Sequence, residues 1–368
     1  MRTVGVEEEY LLVGPDGAPT GVAEAALAAY EQRTSGDVDG GPEPGGGLEP
    51  ELQQEQLETG TRPCLELRDL VGEVRAGRRR AARAAQDAGA RLAALATSPV
   101  PGEPTLSEGD RYHRMARQYA MTVREMLTSG CHVHVSVADD EEGVAVLDRI
   151  AGWLPVLLAL STNSPFWRGE DTGFASIRSQ MWSRWPTAGP TAPFGSAAAY
   201  HATVADLIET GVALDPGMIY FDARLSAKYP TVEVRVADIC LRADDAVLLA
   251  ALTRGIVETA AREAADGVPP VTERDEVLRA ATWRAGRSGL SGDLVVPPAL
   301  APVPAADAVA HLLDHVRPAL TDTGDLPMVQ ELLAGLWRRG TGADEQRAWA
   351  REGGLPAVVE RAAAATLA

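Results

Sequence analysis

Lysine is almost missing from this 368-residue chain: Lys228 is the only one, and arginine supplies the rest of the basic charge. Basic residues number 34 against 52 acidic ones, a net charge of −18. That shortage excludes nucleic acid and anionic membrane as bulk partners, since both need a cationic surface. It does not exclude an anionic ligand in a local field, because bound cations reverse the sign inside a cleft. Cysteine is scarce as well. Cys64, Cys131 and Cys240 are odd in number, far apart and in no CxxC pair, so neither a disulfide framework nor a thiolate zinc site is expected. The longest apolar run, Trp153 to Leu160, is too short to span a bilayer and contains Pro155. There is no secretory h-region, no glycine-rich phosphate loop, no GxSxG and no internal repeat, and a reducing cytoplasm is the expected home.

What the chain does have is acid inside expected strands. Val4-Gly-Val-Glu-Glu-Glu-Tyr-Leu-Leu-Val13 reads as a β-strand. Strand side chains alternate faces, so Val6, Glu8, Tyr10 and Leu12 point one way, and Glu7, Glu9 and Leu11 the other. Glutamate is a poor strand former, and a buried carboxylate without a partner is costly. A face with two of them meets water or cations. Cys131 to Val137 repeats the design, with His132, His134 and Ser136 opposite an apolar row. Thr231 to Ala237 does so again, with Glu233 and Arg235 opposite Val232, Val234 and Val236. Gln54 to Thr61 adds Glu58, with Glu51 upstream. The pattern predicts one sheet with an apolar back on helices and a polar front lining a cavity.

The length allows a large core, as one big domain or two fused ones. Helices are predicted over Val22–Gln32, Glu66–Thr97, Glu108–Leu127, Glu141–Leu160 and Ala197–Thr210. Ser35–Pro50 reads as a mobile Gly/Pro loop. Ser161–Gly195 is long, weakly periodic and rich in Phe, Trp and Arg, which argues for a functional segment. Met218–Ala223 and Thr231–Val236 read as paired strands. From about residue 243 the chain is mostly helical: Asp244–Ala265, Glu273–Arg284, Ala305–His315, Met328–Arg338 and Asp344–Ala365. Strands interleaved with irregular helices favour α+β over a doubly wound sheet.

Glu7, Glu9, Glu51, Glu58, His132 and Glu233 form a hard-cation constellation. Mg²⁺ takes oxygen ligands, and Mn²⁺ tolerates an imidazole. Arg235 shares the face of Glu233 and suits a phosphate oxygen, or an ion pair with one of the glutamates. Arg178 and Arg184 suit a substrate carboxylate. His113, His201, His311 and His315 read as structural or surface histidines.

Taken together, Val-Gly-Val-Glu-Glu-Glu-Tyr, Glu51 with Glu58 ahead of Thr-Arg-Pro-Cys64, Ser-Gly-Cys-His-Val-His-Val, Asp-Thr-Gly-Phe-Ala-Ser-Ile-Arg-Ser and Pro-Thr-Val-Glu-Val-Arg-Val-Ala-Asp resemble the type 2 glutamate–cysteine ligase family. These are bacterial carboxylate–amine ligases, distant relatives of glutamine synthetase. The resemblance runs from the first strand to Trp283–Gly289. It implies one domain over 1–368, built as a curved, mainly antiparallel sheet funnel with helices on its outer face, like glutamine synthetase and the guanido kinases. It implies ATP, Mg²⁺ or Mn²⁺, and a γ-glutamyl phosphate intermediate. By position it implies Glu7, Glu9, Glu51, Glu58, His132 and Glu233 as the metal set. It further implies Arg235, Glu58 and Glu233 at the reacting centre, Arg235 and Glu233 towards the nucleotide, and Arg178, Arg184 and His134 towards substrate. The expected partners are L-glutamate, an amino-acid amine and ATP, with a homo-oligomer left open. Two segments, Phe221-Asp-Ala-Arg-Leu-Ser and Arg-Ala-Gly-Arg-Ser-Gly289, depart from the family pattern and are expected, with the 35–50 loop, to reshape the acceptor pocket. The alternatives are a phosphagen-type kinase and an inactive metal- or nucleotide-binding homologue.

Overall fold

The computed structural model describes residues 1–34, 45–271, 274–297 and 299–368. Of the expected loop over 35–50, positions 35–44 lie outside the described residues, as does Glu273, the expected start of a helix.

The first strand, β1 (Val4–Val13), follows the alternation in its sequence. Val4, Val6, Tyr10 and Leu12 are buried on one face. Glu8 shares that face at 2% exposure, which would be prohibitive without a partner. Its partner comes from α2 (Leu67–Asp87), which follows α1 (Ala23–Thr34), β2 (Leu48–Pro50) and β3 (Gln56–Gly60). Leu67, Leu70, Val74, Ala81, Ala84 and Ala85 form the buried stripe of α2 at three- and four-residue spacing. Arg78 lies in that stripe. Its Nε donates to Glu8 Oε2 at 3.1 Å, and its other nitrogens donate to the carbonyls of Cys240 (2.7 Å), Leu241 (3.0 Å) and Thr366 (3.2 Å).

The helix predicted over Glu66–Thr97 ends early. Gly89 adopts φ +77°, the left-handed conformation that stops helices, and Arg91–Ala93 then forms β4 against Leu11–Val13 of β1. The helix predicted over Glu108–Leu127 is likewise split into α3 (Asp110–Tyr119) and α4 (Met121–Glu125) by Ala120 at φ +46°. β5 (Gly130–Ser136) follows. The helix predicted over Glu141–Leu160 is α5 (Asp140–Ile150) and α6 (Leu154–Ser161), joined by a 3-10 turn, with Pro155 in the first turn of α6. This 22-residue stretch is apolar and long enough to cross a membrane, but 72% of its most apolar window is buried inside the fold, as suits a core helix pair.

Within the long segment, Phe166–Trp167 (β6) and Glu170–Asp171 (β7) make a small hairpin and Ile177–Trp182 a helix, α7. After α8 (Ala197–Glu209), the strand that pairs with β9 (Thr231–Asp238) is β8 (Ala223–Leu225), which overlaps the strand predicted over Met218–Ala223 only at Ala223. Pro216–Met218 instead forms a 3-10 turn. The predicted C-terminal helices are α9 (Ala243–Ala265), α10 (Asp275–Ser288), α11 (Ala305–Thr323), α12 (Leu326–Arg339) and α13 (Gly342–Thr366). An unpredicted hairpin, β10 (Asp293–Val296) with β11 (Ala299–Pro304), interrupts them.

The main sheet runs β2-β3-β1-β5-β9-β8, antiparallel at every pairing, with β4 added to β1. One core cluster joins Val4, Val133, Val135, Val232 and Val234 on its back to Leu157, Leu249 and Ile256 of the helices. Helices therefore cover the back and leave the front as the polar wall. The described residues form no closed barrel.

Candidate active site

Register decides which front-face side chains meet. Glu7 of β1 stands opposite His132 of β5, and Glu9 opposite Glu58 of β3. His134 of β5 stands opposite Glu233 of β9. Two triads result, each with ligand atoms within 4.8 Å of one another: Glu7, Glu58 and His132, and Glu7, His134 and Glu233. Glu7 is common to both. Its Oε2 is 3.6 Å from His132 Nδ1 and its Oε1 is 3.3 Å from His134 Nε2. The Thr231 hydroxyl lies 2.9 Å from His134 Nδ1 and so fixes the ring with Nε2 towards Glu7.

The electrostatics show a site short of positive charge. Burial, then the charge of Glu51, pushes Glu9 up to about 7. The same two causes raise Glu58 well above the usual carboxylate range. Burial, then the Arg235 guanidinium, holds His132 down at about 4, so its ring is neutral at pH 7. Its Nε2 is buried without a hydrogen-bond partner, as is that of His134. Carboxylates raised by burial and neighbouring negative charge, beside a neutral His132 and two imidazole Nε2 atoms without hydrogen-bond partners, are a donor set suited to Mg²⁺ or Mn²⁺. Glu233 behaves differently. Against its burial, Arg235, His134 and Arg224 hold it well below the ordinary range. Arg224 Nε donates to Glu233 Oε2 at 2.8 Å, and Arg235 bonds the other oxygen.

The first triad, Glu7, Glu58 and His132, opens onto a cavity of about 420 Å³, while His134 of the second lines the neighbouring pocket. Glu7, Glu9, Glu51, Glu58, His132 and Arg235 line it on the sheet side. Opposite stand Trp182, Trp185 and Tyr220, whose ring centres are 5.0–6.2 Å apart, and Arg111, held by Asp215 at 2.8 Å. The Trp185 indole N–H is buried and unpartnered. Beside this cavity lies a second, mostly apolar pocket of about 220 Å³. Thr61, Pro63, Tyr229 and Pro230 line it, and it shares Glu7 and Glu49 with the first.

The expected substrate residues are placed as follows. His134 groups with the cation triads. Arg178 is 2% exposed, behind the floor. It lies 4.0 Å from Asp238 and 5.4 Å from the centre of Trp182, with its Nε unpartnered. Arg184 turns away and pairs with Glu125 at 2.9 Å. Arg235 makes the ion pair that its position beside Glu233 allowed, yet still lines the cavity. Of the two segments expected to reshape the acceptor pocket, Phe221–Ser226 lines the cavity through Arg224 alone, and Arg284–Gly289 does not line it. Phe221 packs in the core, 6.0 Å from Phe194, and Gly286 accepts the Ser176 N–H through its carbonyl. Of the 35–50 loop, β2 is strand, and its Glu49 and Pro50 do line the cavity. Glu49, Arg111 and Asp215 carried no residue-level signal in the sequence, whereas Trp182 and Trp185 lie in the aromatic segment expected to be functional and Arg224 in a segment expected to shape the pocket. Their common surface is made by folding.

Residues 3–361 match the family model for glutamate–cysteine ligase family 2. A Streptomyces avermitilis protein named "Putative glutamate--cysteine ligase 2-1" is 51% identical over 348 residues, covering 94% of both chains. A Streptomyces coelicolor relative named "Putative glutamate--cysteine ligase 2" is 50% identical over 362 residues, covering 98% of this chain and 97% of its own. Among solved structures, a Francisella tularensis glutamate–cysteine ligase in complex with AMP superposes with a TM-score of 0.66 at 14% identity, over 100% of this chain and 89% of that one. A bifunctional glutathione synthetase from Pasteurella multocida gives 0.66 at 16% identity over 99% of this chain, which spans about half (52%) of that enzyme. The fold is glutamine synthetase-like, and the chain belongs to glutamate–cysteine ligase family 2.

Proposed function

We propose that this ligase, acting as one unit, uses ATP to phosphorylate the γ-carboxylate of L-glutamate and joins it to the amine of a second amino acid, cysteine among the candidates. The observation that carries this reading is the pair of triads sharing Glu7, which lines both the cavity and the neighbouring pocket, because a carboxylate needs a better leaving group before an amine can displace it. Divalent cations, when bound, would neutralise the phosphates during transfer. Glu7, Glu58, His132, His134 and Glu233 would hold them, with Glu9 and Glu51 beside. Arg235 reaches the cavity from the same wall, where its planar donors can meet a phosphoryl oxygen. The carboxylate oxygen takes the γ-phosphoryl group and ADP leaves. The amine then attacks the acyl carbon, the C–O bond to phosphate breaks, and the amine loses a proton. The apolar pocket beside the triads would take the nucleotide base. The far end of the cavity, with Arg111, Asp215 and the aromatic wall, would take amino-acid groups.

The test is incubation with glutamate, ATP, Mg²⁺ and a panel of amino acids, followed by mass spectrometry. A γ-glutamyl dipeptide with equimolar ADP is expected. ADP with a phosphorylated guanidine or amine would replace the reading with a kinase, and no γ-glutamyl product with any amine would refute it.

A further inference from the structure

α3 forms one side of the acidic cavity. Its Arg111, Tyr112 and Met115 line that space together with the sheet carboxylates. Met115 is the one fully buried residue of the helix, while Tyr112, Ala116 and Tyr119 rest partly buried on the core. Both ends carry backbone that L-residues avoid. Gly109, before the first turn, sits at φ +141°, and Ala120, after the last, at φ +46° and ψ −112°. No side chain caps the N-terminus.

The helix is tied down at one place. Arg111 Nε donates to Asp215 Oδ2 at 2.8 Å and its Nη2 to Oδ1 at 3.2 Å. The Tyr119 hydroxyl donates to the Val212 carbonyl at 2.7 Å, and Gln118 Nε2 donates to the Gly211 carbonyl. Among the described residues, 211–218 is the only segment distant in sequence that hydrogen-bonds or ion-pairs with an α3 side chain. That segment begins at Gly211, with φ +76°, and itself lends Asp215 and Gly217 to the cavity wall. A surface helix resting on the core by one face is the ordinary explanation of such an element. It does not account for glycine-type backbone at both ends or for ties gathered on one segment. Element-terminal residues in sparsely populated conformations are where hinges form.

We propose that α3 is a lid over the amino-acid end of the cavity, jointed at Gly109 and Ala120 and latched to residues 211–215 by Arg111, Gln118 and Tyr119. This rests on the ligase reading above. An acyl phosphate is open to attack by water as well as by an amine, so its yield of amide depends on keeping water out of the cavity. The latch holds the lid shut during that interval, and opening admits the amino acids and releases the product.

Thiol labelling reads the lid without turnover. The three native cysteines are buried, so Met115→Cys gives a thiol that a labelling reagent reaches when α3 lifts. Adding Gln118→Ala and Tyr119→Phe removes two latch bonds made by side chains that do not line the cavity, and keeps the Tyr119 ring against Trp185. Two such hydrogen bonds are worth about tenfold in opening, and labelling should quicken by that factor. Mg²⁺, glutamate and a non-hydrolysable ATP analogue should slow it. With Met115 native, the same pair of substitutions should admit water, so that ADP released exceeds γ-glutamyl dipeptide formed, while the wild type makes one dipeptide per ADP. Thermal melting checks the fold, and Tyr119→Phe alone gives both readings at smaller size if the pair unfolds. Unchanged labelling after loss of the latch bonds, or equimolar ADP and dipeptide despite faster labelling, would overturn the lid and leave the ligase reading intact. A wild type that forms no γ-glutamyl product with any amine would overturn both.

Discussion

Glu9 and Glu58 face each other across two strands, with Glu51 adding to the field at both. If they hold cations, replacing either by glutamine removes charge and keeps shape. Turnover should fall by on the order of a hundredfold, as when a preorganised electrostatic group is lost. Steady-state ADP release with Mg²⁺ checks this, and full activity in either variant would remove that residue from the site. The raised carboxyl of Glu9 also sets a pH dependence. Between its ordinary value of 4.5 and about 7, the folded protein keeps a proton that the unfolded chain has lost. Cation-free stability therefore falls as pH rises through that window. In EDTA, the wild type should lose more thermal stability than Glu9→Gln between pH 5 and pH 8, and Mg²⁺ should raise its Tm more at pH 8 than at pH 5. Equal slopes for the two proteins would show that Glu9 carries no such proton. At this scale the sequence was legible where alternation put acid or histidine on one face of a strand. It was illegible where a role depends on a distant partner. Glu8 falls on the buried face by parity, but nothing nearby points to Arg78, and Arg184 looked like a substrate residue until Glu125 was seen beside it.

β5 carries both histidines and begins at a glycine whose lack of a side chain is required. A Cβ on Gly130 would strike the outer guanidinium of Arg178 and come within 3.1 Å of His132 Nε2, while the Gly130 N–H already donates to Glu9 Oε2 at 2.5 Å. Gly130→Ala should therefore displace the buried arginine and lower stability by about 1–3 kcal/mol, the usual range for overpacking. Urea unfolding measures it, and a stability loss within error would mean that Arg178 moves aside freely. Elements were legible in proportion to their length and periodicity. β1, β5 and β9 announced themselves through valine rows opposite polar rows. β4 did not, because three residues show no period and its alanine-rich approach resembles helix. Only its pairing with Leu11–Val13 makes it a strand. The breaks at Ala120 and Gly89 are backbone events that side-chain patterning does not record.

Over the whole molecule, the sheet back, α2, the connection between β9 and α9, and the end of α13 converge on one guanidinium, that of Arg78. Arg78→Met would leave Glu8 buried and unpaired and strand three carbonyls, a loss of about 3–5 kcal/mol. The double variant Arg78→Met with Glu8→Leu should recover much of it, and chemical denaturation of both measures the recovery. A single variant as stable as the wild type would show that the pair is not needed. A second convergence lies nearer the cavity. Asp238, at the end of β9, accepts from Asn163 N at 2.8 Å, from the Ser164 hydroxyl at 2.7 Å and from the Ser176 hydroxyl at 2.8 Å. Asn163 is in turn bonded by Gln346 of α13, and Ser176 caps the helix that carries Trp182. Four segments distant in sequence thus share one carboxylate and its neighbours. They should open and close as one cooperative unit, so that amide exchange in the first turns of α13 and the fluorescence of the aromatic wall report the same event.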